Sequence, residues 1–512
     1  MNKPSETISA AQWLTLATTA GLQPLRIRGK TLLPIVQGGM GVGVSASGLA
    51  AAVARLGGMG TISSVDLRRR HPDLMAQTMH LDKEPDARAR IDTANLIALD
   101  REIQSARESA QGQGWIAVNV MKALSAYEGY VKQALHSGAD ALVVGAGLPL
   151  DLPDLAREHP EVALIPILSD ARGVQLLVRK WEKKGRLPDA IVIEHPRLAG
   201  GHLGAAKVAD LGDGRFDFEV VMPQVQEFFR QAGYGQDIPL IAAGGIESHA
   251  DIRRLQALGA AGVQLGTAFA VTEECDASEV FKRILAEAQP QDIVEFTSVA
   301  GLPARAVRTP WLDKYLRILP ILQERAHAKA KCNMSFDCLQ TCGLRDGLPS
   351  IGQFCIDLKL AAALRGEVDK GLFFRGASRL PFGQAIRPVR ESDAQGLADV
   401  LLAVARAGVG VVRRPDDTRI YPGHEYMGNN LRFTLDREPD NAAAKDLLPR
   451  VKGQSPVLAP KVLESMQACL ARGEQSLVFL NRRGYAPVLH CADCGWKSGC
   501  PHCSAWRVFH KG

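Results

Sequence analysis

Short apolar runs rich in β-branched residues alternate along the chain with segments whose apolar positions recur every three or four residues. The runs lie at 32–37, 58–63, 115–119, 141–144, 163–167 and 190–193, followed by PLIAAGGI at 239–246 and GVQLGTAF at 262–269. Helical spacing fills most of the intervals, at 47–56, 127–137, 171–183 and 222–231. Parallel strands buried on both faces need helical crossovers, so this alternation predicts an α/β chain closed into a (β/α)8 TIM barrel. The polar, helical stretch 65–114 predicts an insertion that caps the site.

In such a barrel the C-terminal ends of the strands form the active face. Residues 37–40, Asn119, 145–147 and the run AGGHLG at 199–204 all fall there. Glycines at 200, 201 and 204 allow close approach of a flat ligand, while His202, with an ordinary pKa of about 6.5, exchanges a proton near neutrality. The last two strands end in Gly244 with Gly245 and in Gly266 with Thr267. Two successive turns with free backbone N–H groups make a phosphate cradle.

PIVQGGMG at 34–41, VNV at 118–120, AGGHLG, IAAGGI and VQLGT together resemble the nitronate monooxygenase family, including its FMN-dependent enoyl-acyl-carrier-protein reductase relatives, over about 30–390. The resemblance implies FMN, with its phosphate held by Gly245 and the turn Gln264, Leu265, Gly266 and Thr267. It places the flavin ring near Gln37, Gly38, Gly39, Met40, Asn119 and Gly200. It implies His202 as the catalytic base in oxidation of an alkyl nitronate by dioxygen to a carbonyl compound and nitrite. The alternative it leaves open is an NAD(P)H-dependent enoyl-acyl-carrier-protein reductase built from the same parts. One departure stands beside the motif: the family's usual glutamine and glycine are His195 and Pro196 here, and the expectation for His195 is packing beneath the loop.

Composition narrows the class without choosing the chemistry. With 46% apolar residues over 512 positions the chain has material for a large core and further modules. It has no apolar run of about 18 residues and a polar N-terminal stretch, so the expectation is a cytoplasmic enzyme with a small-molecule partner and no membrane contact. Ten cysteines are then expected to be reduced or metal-bound. Four of them, Cys332, Cys338, Cys342 and Cys355, fall within 24 residues with a spacing that fits no standard ligand signature.

The expected organisation is a barrel over 1–330, a cysteine-containing extension of the catalytic unit over 331–392 that includes GLFFRGAS at 371–378, and a loosely packed C-terminal appendage. Residues 415–433 with EPDN at 438–441 resemble the part of glyoxalase II that carries a late metal-binding histidine, here His424, in a fragment taken as 393–446. That family's upstream HxHxDH cluster occurs nowhere in this chain, so His424 is expected to be idle. Residues 447–512 resemble an internal slice of the primosomal replication-restart helicases (PriA), with Cys491, Cys494, Cys500 and Cys503 in zinc-type spacing. Residues 446–512 carry nine Lys or Arg against four Asp or Glu, which accounts for +5 of the formal +6. A nucleic-acid-binding zinc module is therefore the rival of another class, disfavoured because the fragment lacks the Walker A run and the ligand pairs that complete its parent's sites.

Overall fold

In the computed structural model, residues 9–81, 84–234, 238–329, 332, 334, 337–380, 420–421 and 477–478 are described. The chain divides into a unit over Met1–Gly408 and a second over Val409–Gly512.

The first unit is a closed barrel of eight parallel strands. They are β1 Ile35–Gln37, β2 Met59–Ser63, β3 Trp115–Met121, β4 Ala141–Gly145, β5 Ala163–Leu168, β6 Ile191–Glu194, β7 Leu240–Ala243 and β8 Gly262–Leu265. Each pairs with its sequence neighbour, and β8 returns to β1 through Val263 opposite Ile35. The strand-helix alternation therefore produces the expected fold. Two bounds differ for physical reasons. The run 32–37 is split at Pro34: Lys30–Leu32 pairs back on Leu25–Ile27 as a hairpin, and only Ile35–Gln37 enters the barrel. The helix read from 222 begins at Phe218 after Asp217 and carries Pro223 inside it, where a proline looks like a start signal.

The strand pleat sorts side chains into two cores. Val36, Met59, Ala117, Ala141, Val143, Ala163, Ile165, Val192 and Ile241 fill the barrel interior, closed at the bottom by Leu25, Ile27 and Leu32 of the hairpin. The alternate residues, such as Ile35, Ile62, Val118, Leu142, Ile193 and Val263, pack on the outer helices. The next inward positions after the interior layer are Ser63, Asn119, Gly145, Ile167, Glu194 and Ala243, which form the mouth.

The stretch 65–114 is not the cap expected of it. Its long helix, Ala87–Ala110, buries Ile91, Ala94, Ala98, Leu99, Ile103 and Ala106 between the helices Ser47–Arg55 and Tyr127–His136, so it is an outer-ring helix of the barrel. Among the described residues of this stretch, only Val65 reaches the cavity at the mouth. The cover comes from the extension instead. Leu339 bridges to Leu124, Gln340 N–H donates to Ala123 O at 2.9 Å, and Ser125 N–H donates to Cys338 O at 3.2 Å. Arg69 reaches Asp357 at 2.6 Å, tying the helix Ile356–Leu364 to the loop after β2. The barrel and the described residues of the extension lie in the same unit, Met1–Gly408.

In the second unit the described residues are two short parallel strands, with Ile420 opposite Leu477 and Tyr421 opposite Val478. Leu477–Val478 therefore pairs with a strand from the stretch that resembles glyoxalase II. His424 and the four cysteines Cys491, Cys494, Cys500 and Cys503 lie outside the described residues.

Candidate active site

A cavity of about 310 Å³ opens at the C-terminal mouth of the barrel. Its wall brings together Gly38, Gly39, Met40, Asn119, Gly200, His202, Gly245, Gln264, Leu265, Gly266 and Thr267, all of which were expected in one site. Gln37 does not reach it. That side chain is fully buried, donating to Thr61 O at 3.1 Å and accepting from Thr61 N–H at 2.7 Å, so it clamps β1 to β2 behind the site.

His202 lies on a strand edge rather than in a free loop. Gly201–His202 pairs antiparallel with Pro303–Val307, which pairs in turn with Ile293–Thr297. The imidazole Nε2 is 3.0 Å from Ser298 Oγ, and the ring centroid is 5.4 Å from that of Phe374. Ser298 Oγ also accepts the Ala300 N–H at 3.2 Å, and its second lone pair can accept from Nε2–H, which leaves Nδ1 as the free ring nitrogen. Removal from water pushes the imidazole down to about 4, so at neutral pH it stands as a free base.

Arg305 holds the loop that leads to this histidine. It is 1% exposed, and its guanidinium donates to Pro196 O at 3.1 Å, to Ala199 O and to the Glu295 carboxylate. His195 takes no part in the wall. It packs edge-on to Phe218 at 5.3 Å with Nε2 3.3 Å from Asp217, as the packing expectation had it.

The glycine turns differ from one another. Gly245 has φ +75°, and a Cβ there would meet Leu198 Cδ1 at 2.4 Å. At Gly266 the nearest atom to such a Cβ is Met40 Sδ at 3.9 Å, so that position has room. Gln264 Oε1 is buried without a hydrogen-bond partner and lines the cavity, a polar atom that a bound ligand can satisfy. Gly39 approaches Asn119 so closely that a Cβ would sit 2.3 Å from its Cβ. Such crowding of bare backbone around an open space suits a planar cofactor with a phosphate tail.

Sequence reasoning missed several wall residues. Gly376 N–H donates to Thr267 Oγ1 at 3.0 Å, and Gly200 packs against the Arg375 and Gly376 backbone. Arg375 and Arg379 thereby join the wall beside the second glycine turn. Glu194 at the end of β6 was also missed, although alternation from Ala190 and Val192 aims it at the mouth. Among the described residues no group of three or more His, Cys, Asp or Glu could hold a metal ion. Cys332, Cys338, Cys342 and Cys355 are free, and burial pushes the Cys338 thiol well up and that of Cys355 to about 11. Cys338 contributes apolar wall.

A parallel barrel with a lone imidazole, paired glycine turns and an orphaned amide at its mouth defines an oxidoreductase of the flavin-using kind. The nitronate monooxygenase family model matches residues 26–380, and the chain belongs to that family. The probable nitronate monooxygenase of Bacillus subtilis is 26% identical over 286 residues, covering 55% of this chain and 78% of the relative. The tail matches other proteins: hydroxyacylglutathione hydrolase of Polaromonas sp. at 59% over 58 residues, and replication restart protein PriA of Haemophilus influenzae at 52% over 54 residues. The chain spans 22% of the first of these and 7% of the second, covering 11% and 10% of its own length. Solved structures similar to it include FabK from Thermotoga maritima and a nitroalkane oxidase from Streptomyces ansochromogenes. They are 22% and 21% identical, cover 77% and 76% of this chain and 96% and 98% of their own, and both have a TM-score of 0.49. The barrel itself rests on the strand pairing described above. No helix among the described residues is long and apolar enough to cross a membrane.

Proposed function

We propose that this protein oxidises alkyl nitronates with dioxygen, giving a carbonyl compound and nitrite, with FMN at the barrel mouth and His202 as base. The observation that carries the reading is the neutral imidazole of His202 in the wall of a cavity framed by two glycine turns. Gly245 and the Gln264 to Thr267 turn would hold the phosphate, joined by Arg379; Gly38 to Met40, Asn119 and Gly200 would border the ring. Bound FMN supplies the electron acceptor and the route to dioxygen.

The chain's own residues handle the proton. His202 Nδ1, with Nε2–H donated to Ser298 Oγ, takes the proton from the carbon beside a nitro group, and the C–H electrons move into the C=N bond of the nitronate. Ser298 fixes the ring, Arg305 fixes the loop, and the extension excludes bulk water through Leu339, Leu360, Leu372 and Phe374. The same apolar wall suits an acyl chain, which supports the second reading, reduction of an enoyl thioester by NAD(P)H. Anaerobic mixing separates the two. Bleaching of the flavin by a nitronate alone supports the oxidase, whereas rapid bleaching by NADPH with none by nitronate replaces it with the reductase.

A further inference from the structure

Around the barrel mouth the inward positions of successive strands are Ser63, Asn119, Gly145, Ile167, Ala243 and Gln264, none of which is ionisable, and Glu194. Glu194 is opposite Ala243 in the β6–β7 ladder, and Ala190 and Val192 behind it belong to the barrel interior. The pleat therefore directs its carboxyl along the barrel axis into the cavity. Gly204 of the AGGHLG run lies beside it: a Cβ on that glycine would stand in ordinary contact with Glu194 Oε2, at 3.8 Å. No described group donates a hydrogen bond to this carboxyl. A carboxylate facing the binding space for an anion would repel it, whereas a neutral carboxyl group in the same place is a donor.

We propose that Glu194 binds the anionic substrate as a carboxylic acid, donating its O–H to an oxygen of the nitronate. The inference rests on the nitronate reading of the site. No covalent bond between heavy atoms changes in this step. When the enzyme meets the anion with Glu194 ionised, one proton from solvent is taken up with it. Loss of hydration pushes the Glu194 carboxyl up to about 7, against the lowering influence of Arg305, so both forms are present near neutrality. The other charged groups facing this space are accounted for. Arg305 stands behind the loop with Glu295 as its partner, and Arg375 and Arg379 come from the extension. His202, on the strand Gly201–His202 outside the barrel sheet, is neutral, and His195, the residue after β6, is turned to Asp217. Asp357, from the helix over the mouth, is also raised by burial and by Asp66, but it is paired with Arg69 at 2.6 Å.

The test compares the flavin-loaded protein with its Glu194→Gln variant, since the amide keeps a donor that cannot ionise. KM for ethyl nitronate in the wild type should climb towards about tenfold per pH unit above about pH 7, and stay flat in the variant. Binding of nitrate, an inert oxyanion, is followed by calorimetry in two buffers of different protonation enthalpy at about pH 7.5; it should take up a proton fraction in the wild type and none in the variant. The infrared band of a protonated carboxyl present in the wild type should vanish in the variant. A pH-independent KM and no proton uptake in the wild type would overturn the proposal. So would a rise that persists in Glu194→Gln, which would assign the titration to Asp357. Failure of ethyl nitronate to turn over at any pH removes the nitronate reading, and the nitrate and infrared measurements still decide the state of Glu194.

Discussion

His202 and Ser298 are 96 residues apart in the chain and 3.0 Å apart in space, joined by the imidazole Nε2 and the hydroxyl Oγ. The contact exists because the hairpin made by Ile293–Thr297 and Pro303–Val307 adds Gly201–His202 as its third strand. Replacing Ser298 by Ala should lower kcat about tenfold, the worth of one hydrogen bond of ordinary strength, with KM and flavin content changing little. Ser298→Thr keeps the hydroxyl and should restore most of the loss. Steady-state kinetics of the two variants checks the role; equal damage by both would assign Ser298 to packing.

The pH dependence has a defined sign. His202 is depressed to about 4, so the neutral base is present above that pH and lost as pH falls through it. The acid limb of kcat/KM for a neutral nitroalkane should therefore lie near pH 4, below the ordinary imidazole value. His202→Asn should lower that rate by about two to four orders of magnitude, and the loss on preformed nitronate should be smaller. A limb near 6.5 would mean that the ring is hydrated in the working enzyme.

The two glycine turns should respond differently to a single methyl group. Gly245→Ala meets Leu198 and a left-handed backbone, a strain of about 1–2 kcal/mol before any contact is counted, and should weaken flavin binding about tenfold or more. Gly266→Ala has open space and should keep binding within about threefold, because a change without a clash has little to shift. Ultrafiltration followed by flavin fluorescence measures both.

Truncation locates the end of the catalytic unit. A chain stopped after Glu391 keeps every described residue of the first unit and should keep flavin content and turnover within about twofold. A chain stopped after Asp369 loses Leu372, Phe374, Arg375 and Gly376 from the wall and should not retain flavin. Absorbance of the purified proteins distinguishes the two.

Much of this was legible in local pattern. Short apolar β-rich runs set between segments of period-3.6 spacing marked all eight strands, and glycine turns at strand ends marked the mouth. Two kinds of feature were not. Leu32, Leu33 and Pro34 read as one apolar run with Ile35, although only the proline breaks it, so the hairpin plug was merged with β1. Arg305 and Ser298 act on His202 across about a hundred residues, and no local period announces such a contact. Glu194 was readable and overlooked: it continues the inward series Ala190 and Val192 by one step, but the glycine motif beside it drew attention to the loop.

The cavity's outer wall is supplied by residues 372–380, which follow all eight strands in the chain. A polypeptide emerging from the ribosome N-terminus first therefore completes its barrel while the mouth is still an open trough. Cofactor can enter at that stage without any later door, and the arriving segment then seats Gly376 on Thr267 and closes the chamber behind it. The order of the chain thus makes the residues that close the chamber the last of its wall to be synthesised.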